Sequence, residues 1–160
     1  MNYQDLADLI FPDTKEISYY KEKYPARNLA EGAEVTRIAP SPTGYIHIGN
    51  IFGALTDYKI AKQSNGIFIL RIEDTDQKRE VENGVIQIIK ALQDFGIVPD
   101  EGMVGEDQEI GDYGPYKQSK RKEIYEAFAK HFLSSRSCLS MFCNTRRTRR
   151  DEKKTRSSKN

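Results

Sequence analysis

Cysteine is scarce in this chain: Cys138 and Cys143 are the only two. Two thiols five apart, with no histidine after them, cannot complete a four-ligand zinc site. They read as free thiols of a reducing compartment. No apolar run approaches the roughly 18 residues that a membrane span needs. Residues 1–10 are too acidic, and too poor in apolar side chains, for a signal peptide. These absences exclude a disulfide scaffold, a zinc module and a membrane-spanning chain, and they predict a cytosolic protein.

What is present is an ordinary globular composition. Of the 160 residues 38% are hydrophobic and 31% charged, enough for one domain with a real core. The net charge of +1 hides a break. Residues 1–133 carry 16 Lys+Arg against 22 Asp+Glu, net −6; residues 134–160 carry 9 against 2, net +7. Such asymmetry is the pattern of a nucleic-acid-binding tail.

Residues 1–34 read as a leader. A short helix starts near Asp5, with Leu6, Leu9 and Ile10 on one face. A tyrosine-rich stretch at 17–25 follows, which either packs against the domain or offers a stacking surface for nucleic acid. A strand is predicted at 35–39, a helix at 50–63 with Ile51, Phe52, Ala54, Leu55, Tyr58 and Ala61 on one broad face, and a buried parallel strand at 67–72. Strand, helix, strand is a crossover unit, the start of a Rossmann-type parallel sheet. A helix at 79–95 presents Val81, Val85, Ile88, Ile89 and Leu92. Residues 99–115, acidic and glycine-containing, read as a surface loop, and residues 119–133 as a helix capped by Ser119. The predicted fold class is therefore α/β.

The chain is organised around residues 37–50, R-I-A-P-S-P-T-G-Y-I-H-I-G-N. Pro40 and Pro42 hold the backbone extended after the first strand. Gly44 allows a tight turn, and Gly49 leaves the backbone open to close approach by a flat ligand. A helix begins at once, and helix starts suit phosphate. His47, one turn before that helix, can donate a hydrogen bond to a phosphate oxygen. Arg37 carries a planar cationic fork suited to a carboxylate.

This string resembles the H-I-G-H signature of class I aminoacyl-tRNA synthetases, in the longer form of the glutamyl and glutaminyl branch, with Asn50 in the fourth place. Residues 66–76, G-I-F-I-L-R-I-E-D-T-D, and 114–121, G-P-Y-K-Q-S-K-R, are similar to two further blocks of that family in the same order. The resemblance covers about residues 30–133. It implies the first half of a class I Rossmann-type catalytic domain that joins glutamate to tRNA(Glu) at the expense of ATP, in a protein that is monomeric in the family. By resemblance, His47 and Gly49 are catalytic, and the ATP clamp comprises Pro40, Thr43, Gly44, His47, Gly49 and Asn50. Glutamate falls to Arg37, Ala39, Ser41 and Glu73, with Arg37 on its side-chain carboxylate and Glu73 on its α-amino group. Gln118, Ser119 and Arg121 fall to the tRNA acceptor end. Asp74 and Asp76 read as a capped turn rather than a metal pair; magnesium is expected to arrive with ATP, with no metal held by protein ligands alone.

No K-M-S-K-S-type motif lies in the chain, so little activity is expected of these 160 residues alone, and the strand at 67–72 is expected to keep an open edge. Two other readings stand beside this one: glutamylation of a modified tRNA base by the shorter synthetase paralogue, and a non-catalytic tRNA-binding module using the basic tail. The tail has its own explanation. Reading one base forward from residue 138 recovers A-Y-P-C-F-A-T-x-E-E-L-E-E-M, which resembles the continuation of the family. Met141 followed by Phe142 forces the cysteine; the other steps are permitted by the code. Residues 134–160 are thus expected to be a frame-shifted and disordered translation.

Overall fold

A computed structural model describes residues 2–135. The chain falls into two compact units. One spans Lys15–Ala127; the other joins Met1–Thr14 to the segment beginning at Phe128. The expectation for the tail lies, from Arg136 on, outside the described residues.

In the smaller unit Asn2 caps α1 (Tyr3–Ile10). Its Oδ1 accepts the Asp5 N–H at 2.8 Å and Asp5 Oδ2 accepts the Asn2 N–H at 3.1 Å, a reciprocal capping box. Ala7 and Leu133 are its buried apolar residues, and Lys130 Nζ pairs with Asp8 at 2.9 Å.

The larger unit is an α/β sheet in the order β1 (Val35–Ile38), β2 (Ile67–Leu70), β3 (Glu101–Met103), β4 (Glu109–Ile110). The first three strands are parallel and the fourth is antiparallel to β3. Two helices make the crossovers, α3 (Ile48–Gln63) and α4 (Gly84–Asp94). A leader helix, α2 (Ile17–Lys23), precedes the sheet, and α5 (Lys122–Ser134) closes the described chain. The core is apolar: Phe68, Leu70 and Ile72 from β2 and its extension, Ile88 and Leu92 from α4, then Ile97 and Met103, all with almost no exposure. β2 is an inner strand, paired with β1 and β3 and packed against helices, which is why it reads as an unbroken apolar run.

Five expectations need correction. The strand at 67–72 has no open edge: β1 and β3 pair with it, and the edge strands among the described residues are β1 and β4. Residues 99–115 are not simply a surface loop, since β3 and β4 form there. The helix expected at 79–95 starts at Gly84 after a 3-10 turn at Gln77–Arg79, and the one expected from Ser119 starts at Lys122 after a 3-10 turn at Gln118–Arg121. On α3 the inward face is narrower than predicted. Ile51, Ala54 and Ala61 are buried, while Phe52 is 71% exposed and Leu55 37%. The 51–54–58–61 stripe covers the sheet, and positions 52 and 55 rotate off it.

The leader segment 24–27 is laced to the 101–116 region. Arg27 makes a bidentate pair with Glu101 at 2.5 and 2.6 Å and lies 3.7 Å over the Tyr113 ring. The Tyr116 hydroxyl donates to Glu101 at 2.8 Å, Tyr24 donates to Gly114 O at 2.5 Å, and Tyr113 donates to Pro25 O at 2.8 Å. The Arg27 guanidinium, helped by Tyr116, holds the Glu101 carboxyl below its ordinary value of 4.5 against the opposing effect of burial. A depressed carboxylate contributes its stability above the unfolded value and loses it as the pH falls through the folded one. The melting temperature should therefore drop as pH falls below 4.5, and Glu101→Gln should flatten that part of the curve. Thermal melts at pH 7 and pH ~3.5 test it. Equal drops for both chains would mean that Glu101 carries none of the dependence.

Candidate active site

The end of β2 explains why three separated blocks meet. Beyond Leu70 the backbone stays extended and bonds alternately to two sides. The Arg71 N–H donates to Ile38 O at 3.1 Å and the Glu73 N–H to Pro40 O at 2.9 Å, both on the first block. Between them the Ile72 N–H donates to Tyr116 O at 2.9 Å, and Ile72 O accepts the Gln118 N–H at 2.9 Å, both on the third block. The side chains alternate as well. Ile72 and Asp74 are buried, while Arg71 and Glu73 are partly exposed.

Glu73 Oε1 lies 3.0 Å from Arg71 Nη2 and 3.5 Å from Arg37 Nη1. Arg37 and Glu73 therefore share one face at the carboxyl ends of β1 and β2, where open α/β sheets bind ligands. Arg71 was not singled out from the sequence. Its place two residues before Glu73 in an extended strand was the available signal, since period two puts both on one face. Arg71 holds Glu73 through Nη2, while its Nε is buried without a hydrogen-bond partner.

Pro40 and Pro42 are buried. Pro42 O accepts the Val81 N–H at 2.9 Å, so the loop is pinned by Glu73 on one side and by the approach to α4 on the other. A Cβ on Gly84 would come 2.9 Å from Pro42 O, and the absence of a side chain there lets α4 start against the loop. Ser41 and Gly44 are exposed; Ala39 and Thr43 are half-buried.

His47 is not a full turn ahead of the helix but is its N-cap, because α3 begins at Ile48 rather than at 50. Its Nδ1 accepts the Gly49 N–H at 3.1 Å, and Asn50 Oδ1 accepts the His47 N–H at 3.3 Å. With Nδ1 accepting, the proton of the neutral imidazole sits on Nε2, which is left as a donor. A Cβ on Gly49 would lie 3.0 Å from His47 Cε1 and Nδ1. Glycine here makes room for the imidazole as well as for a ligand. Asn50 is half-buried and occupied by this cap.

The third block is tied inward. Buried Asp74 accepts the Ser119 N–H at 2.8 Å and its hydroxyl at 2.5 Å. Asp76 accepts from Arg79 Nε at 2.6 Å. The expected capped turn is therefore not what forms: Asp76 pairs with the Arg79 side chain and makes no side-chain cap, while Asp74 reaches across to the third block. Arg121 Nη1 donates to Pro115 O at 2.7 Å and Tyr113 O at 3.3 Å, bracing the loop that contains the cis Gly114–Pro115 peptide. Gln118 is half-buried and Ser119 exposed.

Three parallel strands whose first crossover opens with a histidine-capped helix, and whose ends hold an Arg–Glu pair, make a Rossmann-type α/β domain with a candidate ligand site at its strand ends. Residues 34–160 match the family described as tRNA synthetases class I (E and Q), catalytic domain, and the chain belongs to that family. Glutamate–tRNA ligase of Acetivibrio thermocellus is 54% identical over 146 residues, 90% of this chain and 27% of that protein. The Clostridium perfringens (strain 13) ligase is 57% identical over 134 residues, 83% of this chain and 24% of that one. The crystal structure of the glutamate–tRNA synthetase from Elizabethkingia anophelis superposes with a TM-score of 0.57 at 45% identity, over 62% of this chain and 19% of that one. The chain spans about a quarter of the length of these curated relatives. No helix among the described residues is long and apolar enough to cross a membrane.

Proposed function

We propose that this chain is the N-terminal part of the catalytic domain of a cytoplasmic glutamate–tRNA ligase, which activates glutamate with ATP and passes it to tRNA(Glu). The observation that carries the reading is the Arg37–Glu73–Arg71 cluster at the strand ends, in a domain whose first crossover helix is capped by His47. Arg37 would pair with the side-chain carboxylate of glutamate, while Glu73, oriented by Arg71, would take the α-amino group. The substrate's α-carboxylate then faces the α-phosphorus of ATP, attacks it in line and expels pyrophosphate. His47 Nε2–H and the first N–H groups of α3 would hold the phosphates. Magnesium would come bound to ATP; Asp74 and Asp76 already have partners. The ligase names carried by relatives at 54% and 57% identity favour this over the modified-base paralogue and over a non-catalytic tRNA-binding module.

The chain should bind glutamate and ATP weakly and show little ATP–pyrophosphate exchange, because no lysine loop of the K-M-S-K-S type lies in its sequence. Calorimetric titration and the exchange assay test the two halves. Absence of any glutamate binding would count against the reading, and robust exchange would show that these residues suffice.

A further inference from the structure

We propose that the pocket between α2 and the start of α5 is a binding site for the phosphate group of a nucleotide, distinct from the strand-end cluster. The pocket has a volume of about 230 Å³. Three ammonium groups line it, Lys15, Lys23 and Lys120, against one carboxylate, Glu123. Lys120 is shared with Asp107 at 3.4 Å. Lys15 and Lys23 have no carboxylate within ion-pair distance among the described residues; each lies instead over a tyrosine ring, Lys15 4.3 Å from the Tyr19 centroid and Lys23 5.3 Å from that of Tyr24.

The second observation is Tyr20. It lines the same pocket, is only 4% exposed, and its hydroxyl is buried without a hydrogen-bond partner. Burial, and after it the nearby Glu123 carboxylate, push its pKa up, so it stays protonated and serves as a donor. The ammonium groups beside it can only donate. A buried donor among cations lacks an acceptor, and an anion with several oxygens supplies one while neutralising the lysines. Tyr19, 42% exposed at the rim, adds an aromatic surface against which a ribose or base can lie. Phosphate carried by a nucleotide fits both features. It can come from a free nucleotide or from a strand of RNA.

The test uses the 160-residue chain, with uridine 5′-monophosphate and a uridine tetranucleotide as probes, followed by the NMR ring resonances of Tyr19, Tyr20 and Tyr24. No ATP or glutamate is present, so this site and the proposed activity can fail separately. Both probes should shift the Tyr20 resonances, and Lys15→Glu with Lys23→Glu should weaken binding at least about tenfold, as should added salt. Tyr20→Phe, which keeps the ring and removes the donor, should weaken binding about threefold to tenfold. A tetranucleotide that binds at least about tenfold tighter than the monophosphate identifies RNA as the source; equal affinities identify the free nucleotide. No shift at these tyrosines with either probe at about 10 mM, or binding unchanged by the double charge reversal, would overturn the proposal.

Discussion

Replacing Gly102 by alanine is expected to cost about 4 kcal/mol or more of folding stability, enough to abolish a cooperative melt in a marginally stable domain. Gly102 sits in β3 at φ +124°, a backbone conformation that L-residues rarely adopt. A Cβ built there would lie 2.1 Å from Leu70 O and 2.8 Å from the Leu70 backbone N and C. Those atoms belong to β2, one of the two inner strands, and Leu70 and Gly102 are register partners. No flexible side chain can move aside, so the pairing of β2 with β3 has to open. That opening exposes Phe68, Leu70 and Met103, which are fully buried. Far-UV circular dichroism on heating reads the outcome. A Gly102→Ala chain that melts within a few degrees of the parent would show that the β2–β3 pairing is dispensable. Gly66 makes an internal comparison. Its Cβ would fall 1.8 Å from Glu34 O beside β1, at ordinary φ, so Gly66→Ala tests the clash without the conformational strain.

Arg37→Ala should do the opposite, sparing the fold and removing ligand recognition. The side chains of Arg37 and Glu73 are 42% and 37% exposed and their pair is long at 3.5 Å, so losing it should change stability by no more than about 0.5 kcal/mol. Glu73 keeps its shorter partner, Arg71, at 3.0 Å. A bound carboxylate, in contrast, would lose charge-assisted hydrogen bonds worth about 1.5–3 kcal/mol, or roughly tenfold to a hundredfold in affinity for glutamate. Arg37→Lys should recover only part of this, because an ammonium does not reproduce the planar fork. Titration of glutamate into the parent and both variants, with melting curves alongside, separates the two effects. Glutamate binding unchanged in Arg37→Ala would remove Arg37 from the site.

Much of this domain was legible before any coordinates. The apolar run at β2, the 3.6-residue periodicity of α3 and α4, and the proline-bearing loop after β1 each follow from local chemistry. The helix boundaries were missed by a few residues at Gly84 and Lys122 because the preceding 3-10 turns hold their own helical spacing and carry no distinct sequence mark. β3 was missed for a deeper reason. Glu101–Met103 is a three-residue strand with a left-handed glycine in it, and no periodicity of its own distinguishes it from a loop. Its strand state comes from Leu70 and Ile69, about 32 residues away, which supply its hydrogen-bonding partners.

The candidate site divides along the same line. The resemblance of three sequence blocks to those of class I synthetases nominated Arg37, His47 and Glu73; the residue types in a strand–loop–helix frame are a weak signal by themselves. Which face of the β2 extension each residue takes was not read from the sequence, although alternation in an extended strand is a local property. Only the tertiary structure decided that Arg71 holds Glu73, that His47 is a cap with its Nε2 left to donate, and that Asp74 reaches across to Ser119. It alone joined Arg27 to Glu101 and left Tyr20 without an acceptor. These are contacts between groups up to 74 residues apart, or between side chains competing for one partner. Local propensity carries no information about which distant group arrives first or fits best; that is fixed when the sheet closes and each buried polar atom has to find its partner.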